Sequence, residues 1–439
     1  MGFRSGCKKG RVIRLRRTTA GGTALPVFFC GGGAMEGTVR AGVKDGLTAG
    51  EIARRLDREG IPAFSARDDG DKRRFSVTAY DLEVTDVRRI WPSAGGRTEA
   101  RRFEPDDRLR RIVARAAVKA LYVLGLDFGQ VEVSADGSGR PSIEAVTGVM
   151  RPTPGEGAER TSRIRADKSA REAEERAGGV SVLLGADPEF LLLAPNGKVV
   201  PASRYLPTEG LAGCDSVVRR GIRLWPLVEL RPDPAGEPAA LTESIRRLLA
   251  AANRKFGREP LTWLAGAWPV PGLPLGGHIH ISGAAPTGER LRALDNAVAL
   301  PLRLLEPDGA AARRPRYGAL GDFRKQPHGG FEYRTPPSWL VSRRLARGVL
   351  SLAKIAAEHA RELADRRPLD DEALRDAFYG PDRDFRLREA ALRFYGEIRR
   401  TAGYGKFASD VDFVFGAVVE GRRWDETADL RPKWGIARR

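Results

Sequence analysis

Cysteine, methionine and histidine are all scarce in this chain of 439 residues, which has three, three and four of them. Cys7, Cys30 and Cys214 lie far apart, and that spacing excludes a disulfide framework and a cysteine-based zinc site. No apolar run is long enough to cross a bilayer, so no transmembrane helix and no membrane partner are expected. The opening MGFRSGCKKGRVIRLRR is basic, but the apolar stretch after it is short and broken by Gly and Pro. A cleaved secretory signal is therefore not expected, and the cytoplasm is the expected compartment.

Hydrophobic residues make up 41% and charged residues 30% of the chain, the balance of a globular protein with room for two or three domains. The net charge of +18 would suit a nucleic-acid binder. Against that, the basic residues are spread along the whole chain and mixed with acids, as in DREGIPAFSARDDGDKRR. There is no Arg/aromatic ladder and no Cys/His finger. Nucleic acid is not an expected partner, and the charge is compatible with polyanionic substrates.

Composition and periodicity divide the chain into four. Residues 1–152 form an N-terminal accessory module, although no element can be placed before about residue 45. In it AGEIARRLDREG reads as a short amphipathic helix and RRFSVTAYDLEVTDVRRIW as one or two strands. DDRLRRIVARAAVKALYVLG reads as a helix ending at Gly125, followed by a hairpin-like pair of strands. Residues 153–179 lose their apolar side chains and read as a charged linker. Residues 180–366 hold the strand motifs, with helices expected over 238–257, 287–305 and 342–366. Residues 367–439 read as a helical C-terminal extension.

Within 180–366, four short β-like segments each carry two ligand-type residues two positions apart. They are Asp187 and Glu189 in GADPEFLLL, Glu229 and Arg231 in PLVELRP, His278 and His280 in GGHIHISG, and Glu332 and Arg334 in GGFEYRTP. Residues i and i+2 of a strand point to the same face. One sheet face would then gather four carboxylates, two imidazoles and two guanidiniums, too much polarity for a core. Taken singly, each motif is more often a solvated ion pair or a sheet edge. Four in one domain, three of them beside Gly or Pro, favour a site. Carboxylates with an imidazole suit magnesium or manganese, and guanidinium forks, with Arg316 and Arg324 just upstream of Arg334, suit phosphate.

The same ordered motifs resemble the glutamine synthetase and glutamate–cysteine ligase superfamily of carboxylate–amine ligases. GADPEF is similar to its E-x-E-F strand, with Asp187 in place of the first Glu. GGHIHISG is similar to its G-x-H-x-H strand, and FEYRTPPSW to its E-x-R-x-P strand. Over about residues 181–360, PASRYLP, GCDS, ELRPDP, LDNAVALPLRLLE and RYGALGDFR add a denser resemblance to the phage-type amidoligases, the COOH–NH2 ligase type 2 group. No ammonia-site loop or glutamate-site motif can be matched. The N-terminal LYVLGLDFGQVEVSADGSGRPSIEAV is similar to the closing strands of an ATP-grasp domain, with Glu132 and Glu144 at its magnesium positions and Val146 where an Asn belongs.

The resemblance implies an α+β protein: a glutamine-synthetase-like antiparallel sheet with flanking helices, plus a smaller N-terminal α/β module like an ATP-grasp fragment. It implies ATP and Mg2+ (or Mn2+) as cofactors, and a carboxylate and an amine, such as an amino acid or peptide, as substrates. The metal ligands would be Asp187, Glu189, Glu229, His278, His280 and Glu332. Arg316, Arg324 and Arg334 would hold nucleotide phosphate, Arg231 would pair with a carboxylate, and Asp215 in GCDS would orient or deprotonate the amine. A metal-dependent hydrolase using the same acids and histidines is the main rival, and a basic nucleic-acid binder the other. Assembly of identical subunits is left open.

Overall fold

The computed structural model describes residues 47–63, 72–92, 98–102, 108–148, 156–219, 221–257, 259–327, 329–381 and 385–438. The chain divides into two compact units between Ala177 and Gly178.

In the first unit Thr48 caps helix α1 (Ala49–Arg58): its hydroxyl accepts the Glu51 amide hydrogen at 3.2 Å. Ile52 and Leu56, one turn apart, form the buried face of that helix. Strands β1 (Arg73–Tyr80), β2 (Glu83–Pro92) and β3 (Thr98–Arg102) precede helix α2 (Arg108–Val123), and β4 (Phe128–Ala135) and β5 (Pro141–Thr147) follow it. All five strands pair antiparallel in the order β3-β2-β1-β4-β5. Alternate residues of β1 (Phe75, Val77, Ala79) and β4 (Val131, Val133, Ala135) are fully buried, and they share one core with Val113, Ala117, Ala120 and Leu121 of α2. Glu132 and Glu144 fall on β4 and β5. Glu144 accepts from the Ser134 hydroxyl at 2.6 Å, and neither acid belongs to a potential metal-binding group among the described residues. The ATP-grasp likeness of this region therefore rests on sequence alone.

The segment read as a linker is mostly helix α3 (Glu156–Gly178). Its Lys168 reaches Asp81 at 3.0 Å and lies 5.6 Å over the Tyr80 ring. A helix held by ionic and cation–π contacts carries no apolar stripe, so periodicity could not reveal it.

The second unit is built on β6 (Leu183–Leu193). Its other strands are β7 (Val199–Val200), β8 (Ala212–Arg219), β9 (Ile222–Leu230), β10 (Thr262–Leu264), β11 (Gly277–Ser282), β12 (Phe323–Lys325) and β13 (Phe331–Tyr333). They make an antiparallel sheet of order β12-β13-β11-β6-β9-β8, with β7 and β10 pairing to the far end of β6. Helix α4 (Pro238–Lys255) packs on β6 and β9, and α7 (Arg343–Glu358) packs on β11. The expected helix over 287–305 is present in three parts: α5 (Gly288–Leu294), a π-helical turn (Asp295–Ala299) and α6 (Leu300–Leu305). The expected helix over 342–366 stops at Glu358.

Residues 367–438, read as an extension, are built into the same unit through α8 (Glu372–Tyr379), α9 (Phe385–Ile398) and α10 (Tyr404–Val419). Helix α10 crosses α7 at Gly348, where a β-carbon would meet Val414 at 2.5 Å. Further on, the Leu430 amide donates to the Trp263 carbonyl at 3.0 Å, and the Trp434 indole donates to the Leu340 carbonyl at 2.7 Å. Glu426 accepts the amide hydrogens of Ala267 and, at 3.0 Å, Trp268.

Candidate active site

Alternation on β11 sets the site. Gly277, Ile279 and Ile281 are buried on one face, while His278 and His280 stand half-buried on the other. Antiparallel pairing then carries this polar row across the sheet. His278 is opposite Asp187, His280 is opposite Glu332, Glu332 is opposite Arg324, and Glu189 is opposite Glu229. Four motifs separated by up to about 150 residues thus meet by register alone.

Two acidic groups result, and the ligand atoms within each lie within 4.8 Å of one another. The first is Asp187, His278 and Glu332. His278 Nδ1 is 3.2 Å from Asp187 Oδ1 and 3.4 Å from Glu332 Oε1, and His280 Nε2 is 3.1 Å from Asp187 Oδ2. Burial raises the Asp187 pKa, but hydrogen bonds from the two imidazoles outweigh it and hold the carboxyl well below the usual range. Burial lowers the His278 pKa, and the adjoining Asp187 more than reverses this, so the net direction is upward.

The second group is Glu189, Asp215 and Glu229. Burial pushes Glu189 up to about 8, helped by the neighbouring Asp215 and Glu229 and opposed by His278 and by the Gly276 amide, which donates to its Oε2 at 2.7 Å. Burial pushes Glu229 up to about 7, with Asp187 adding and Arg231 opposing. Three carboxylates in mutual contact are a costly arrangement without a cation.

The donor set fits a hard divalent cation. Asp187 Oδ1, His278 Nδ1, His280 Nε2 and Glu332 Oε1 are all buried, and each faces another member of the cluster at ion-pairing distance, His280 through Asp187 Oδ2.

The arginines divide. Arg324 and Arg334 both pair with Glu332, Arg334 through Nε at 3.0 Å. Arg231 pairs with Glu229 and donates to the carbonyls of Thr208 and Gly210 at 3.1 and 3.2 Å, which ties it to its own strand pair. Arg316 is exposed with its guanidinium over Tyr317 at 5.4 Å. Gln326, which donates to Glu332 Oε2 at 3.0 Å, was not singled out from sequence, although its position two residues after Arg324 signals it. Also missed were Ser338, whose hydroxyl donates to the Glu189 carbonyl at 2.5 Å, and Arg313, which is buried and influenced by Glu189. Neither belongs to a motif readable along one strand.

The sheet face gathers carboxylates, imidazoles and guanidiniums, groups that can hold a cation and an anionic substrate. The sequence profile of the phage phiEco32-like COOH.NH2 ligase-type 2 family matches residues 184–436, more than half of the chain. The chain belongs to that family and is a carboxylate–amine ligase. Among solved structures it is similar to "Apo GmaS without ligand", at 14% identity over 84% of this chain and 96% of that one, with a TM-score of 0.31. "GmaS/ADP complex-Conformation 1" is similar over the same shares at 14% identity and a TM-score of 0.29. "Crystal structure of novel glutamine synthase homolog" is similar at 17% identity over 64% of this chain and 79% of that one, with a TM-score of 0.27. Among curated proteins none matches. No helix among the described residues is long and apolar enough to cross a membrane.

Proposed function

We propose that the protein joins a carboxylate to an amine at the expense of ATP, by way of an acyl phosphate. Amide formation from a carboxylate is uphill at neutral pH because the carboxylate is a poor electrophile. Transfer of the γ-phosphoryl group to the substrate carboxylate oxygen breaks the β–γ anhydride bond of ATP, releases ADP and gives a mixed anhydride. The amine nitrogen then attacks the acyl carbon, loses a proton, and expels inorganic phosphate.

The observation that supports this most is the convergence of the buried groups of Asp187, His278, His280 and Glu332 beside two arginines. On this reading Asp187, Glu189, Glu229, His278, His280 and Glu332 would hold Mg2+ or Mn2+. Such ions would neutralise charge on the nucleotide phosphates. Arg324 and Arg334 would hold the migrating phosphoryl group, with Arg316 at the nucleotide. Arg231 would face the substrate carboxylate, and Asp215 would take the proton of the attacking amine. The first unit would be an accessory module to this reaction.

The test is magnesium-dependent release of phosphate from ATP across a panel of carboxylates and amines, with Arg334→Lys alongside wild type. The lysine keeps the charge and loses the planar fork, so turnover should fall by more than ADP affinity. A wild type that binds no nucleotide at any magnesium level, or an Arg334→Lys enzyme of undiminished turnover, would overturn the acyl-phosphate reading.

A further inference from the structure

Between the turn into α8 and one face of α9 lies a cavity of about 230 Å³ that nothing in the ligase reading uses. Arg393, Phe394 and Glu397 line it from α9, at a spacing that keeps them on one side of the helix. Arg366, Arg367, Asp371 and Leu374 line it from the other side. Its charges are thus of both signs, beside the apolar surface of Leu374 and Phe394. The Arg367 side chain is only 12% exposed, yet its guanidinium makes no hydrogen bond among the described residues, and Glu289 and Asp370 stand at 3.9 and 4.0 Å. Asp371 gives Oδ1 to the amides of Ala373 and Leu374 at 2.9 and 3.0 Å, which caps α8, while its Oδ2 accepts no hydrogen bond among the described residues. The other charges are engaged: Arg366 with Glu397 at 3.4 Å, Glu397 also with Arg400 at 2.8 Å, and Arg393 with Glu389 at 2.7 Å.

We infer that this cavity binds a free α-amino acid, with its carboxylate on Arg367, its ammonium on Asp371 and an aliphatic side chain against Leu374 and Phe394. Ion pairs too long for hydrogen bonds leave the Arg367 fork with donors to spare, and a carboxylate is the planar group that fills such a fork. A phosphate or a dicarboxylate would meet Asp371 and Glu397 in the same space, and a simple amine would meet three arginines. A ligand with both charges answers both sets. At about 30 Å³ for each water of the liquid, the volume equals roughly eight waters, which suits an amino acid of valine's size. The wall also touches the rest of the unit. Leu369, in the 3-10 turn (Pro368–Asp370) between Arg367 and Asp371, donates its amide hydrogen at 2.9 Å to Asn296 Oδ1 in the π-helical turn. The inference does not depend on the ligase reading.

The experiment titrates the full-length protein, without nucleotide or metal, with L-valine, N-acetyl-L-valine and L-valinamide in a calorimeter. Valine should bind. The analogues lack the ammonium and the carboxylate respectively, and each should bind about tenfold or more weakly. Asp371→Asn keeps an oxygen to cap α8 and removes the charge, so valine affinity should fall by about tenfold while the melting curve stays near wild type. Arg367→Gln should lose as much or more. Hydrogen exchange read by mass spectrometry locates the site: valine should slow exchange over residues 366–374 and 390–397, and leave β6 and β11 unchanged. No binding at millimolar valine, an analogue as tight as valine, or wild-type affinity in Asp371→Asn would overturn the assignment. So would protection confined to β6 and β11, which would make the amino acid a ligand of the sheet site instead.

Discussion

The Tyr333 hydroxyl donates to Asp295 Oδ1 at 2.7 Å, and the same oxygen accepts the Gly321 amide hydrogen at 3.1 Å. Asp295 opens the π-helical turn between α5 and α6, so this turn anchors the strand that carries Glu332 and leads into Arg334. Helix bulges of this kind are often found at functional sites. Tyr333→Phe removes one buried hydrogen bond and should cost about 1–2 kcal/mol in urea unfolding. Turnover should fall as well, because Glu332 loses its fixed position.

Glu332 is fully buried between Arg324, Arg334, Gln326 and His278. Glu332→Gln keeps the shape and removes the charge. Calorimetry should show magnesium-dependent nucleotide affinity reduced by on the order of tenfold or more.

Gly276 is required by His278. A β-carbon at residue 276 would stand 2.6 Å from His278 Nε2 and 3.0 Å from Cε1, so Gly276→Ala must displace the ring. A shift of about 1 Å in such a group can cost roughly a hundredfold in rate. Ligase assays on the variant should show a loss of that order, while its circular dichroism and melting curve stay near wild type.

The raised pKa values of Glu189, about 8, and Glu229, about 7, carry a sign for metal binding. Both acids hold protons below those values, so a cation must displace protons there and binds less tightly as pH falls. In stability terms, a raised folded pKa means the metal-free protein loses stability as pH climbs from the ordinary carboxylate range toward 8. A cation removes that penalty. Magnesium should therefore raise the melting temperature more at pH 8.5 than at pH 6. Calorimetry at pH 7 in buffers of different ionisation enthalpy should register proton release.

The parts of the site that could be read from sequence are those with period two. His278 and His280 alternate with Ile279 and Ile281, and Glu332 sits between the fully buried Phe331 and Tyr333, so each strand announces its own polar face. Register across strands has no such signature, and nothing along β11 alone shows that His278 is the imidazole standing between the two acids. Helix α3 was hidden because it is polar throughout. The site's support from Ser338 comes from a loop far along the chain in contact with β6, a pairing that no local pattern encodes.

Trp434 is almost wholly inaccessible, and its indole holds the Leu340 carbonyl. Trp434→Ala should cost about 3–5 kcal/mol in denaturant unfolding.

The ties from residues 424–436 back to Trp263, Ala267 and Leu340 bear on synthesis. A ribosome makes β6 some 240 residues before it makes Trp434, so the second unit cannot finish its core until the last ligated segment has left the exit tunnel. Until then the parts of the core around Trp263, Ala267 and Leu340 lack the segment that covers them. Stalled or prematurely ended translation products would be the aggregation-prone forms of this protein.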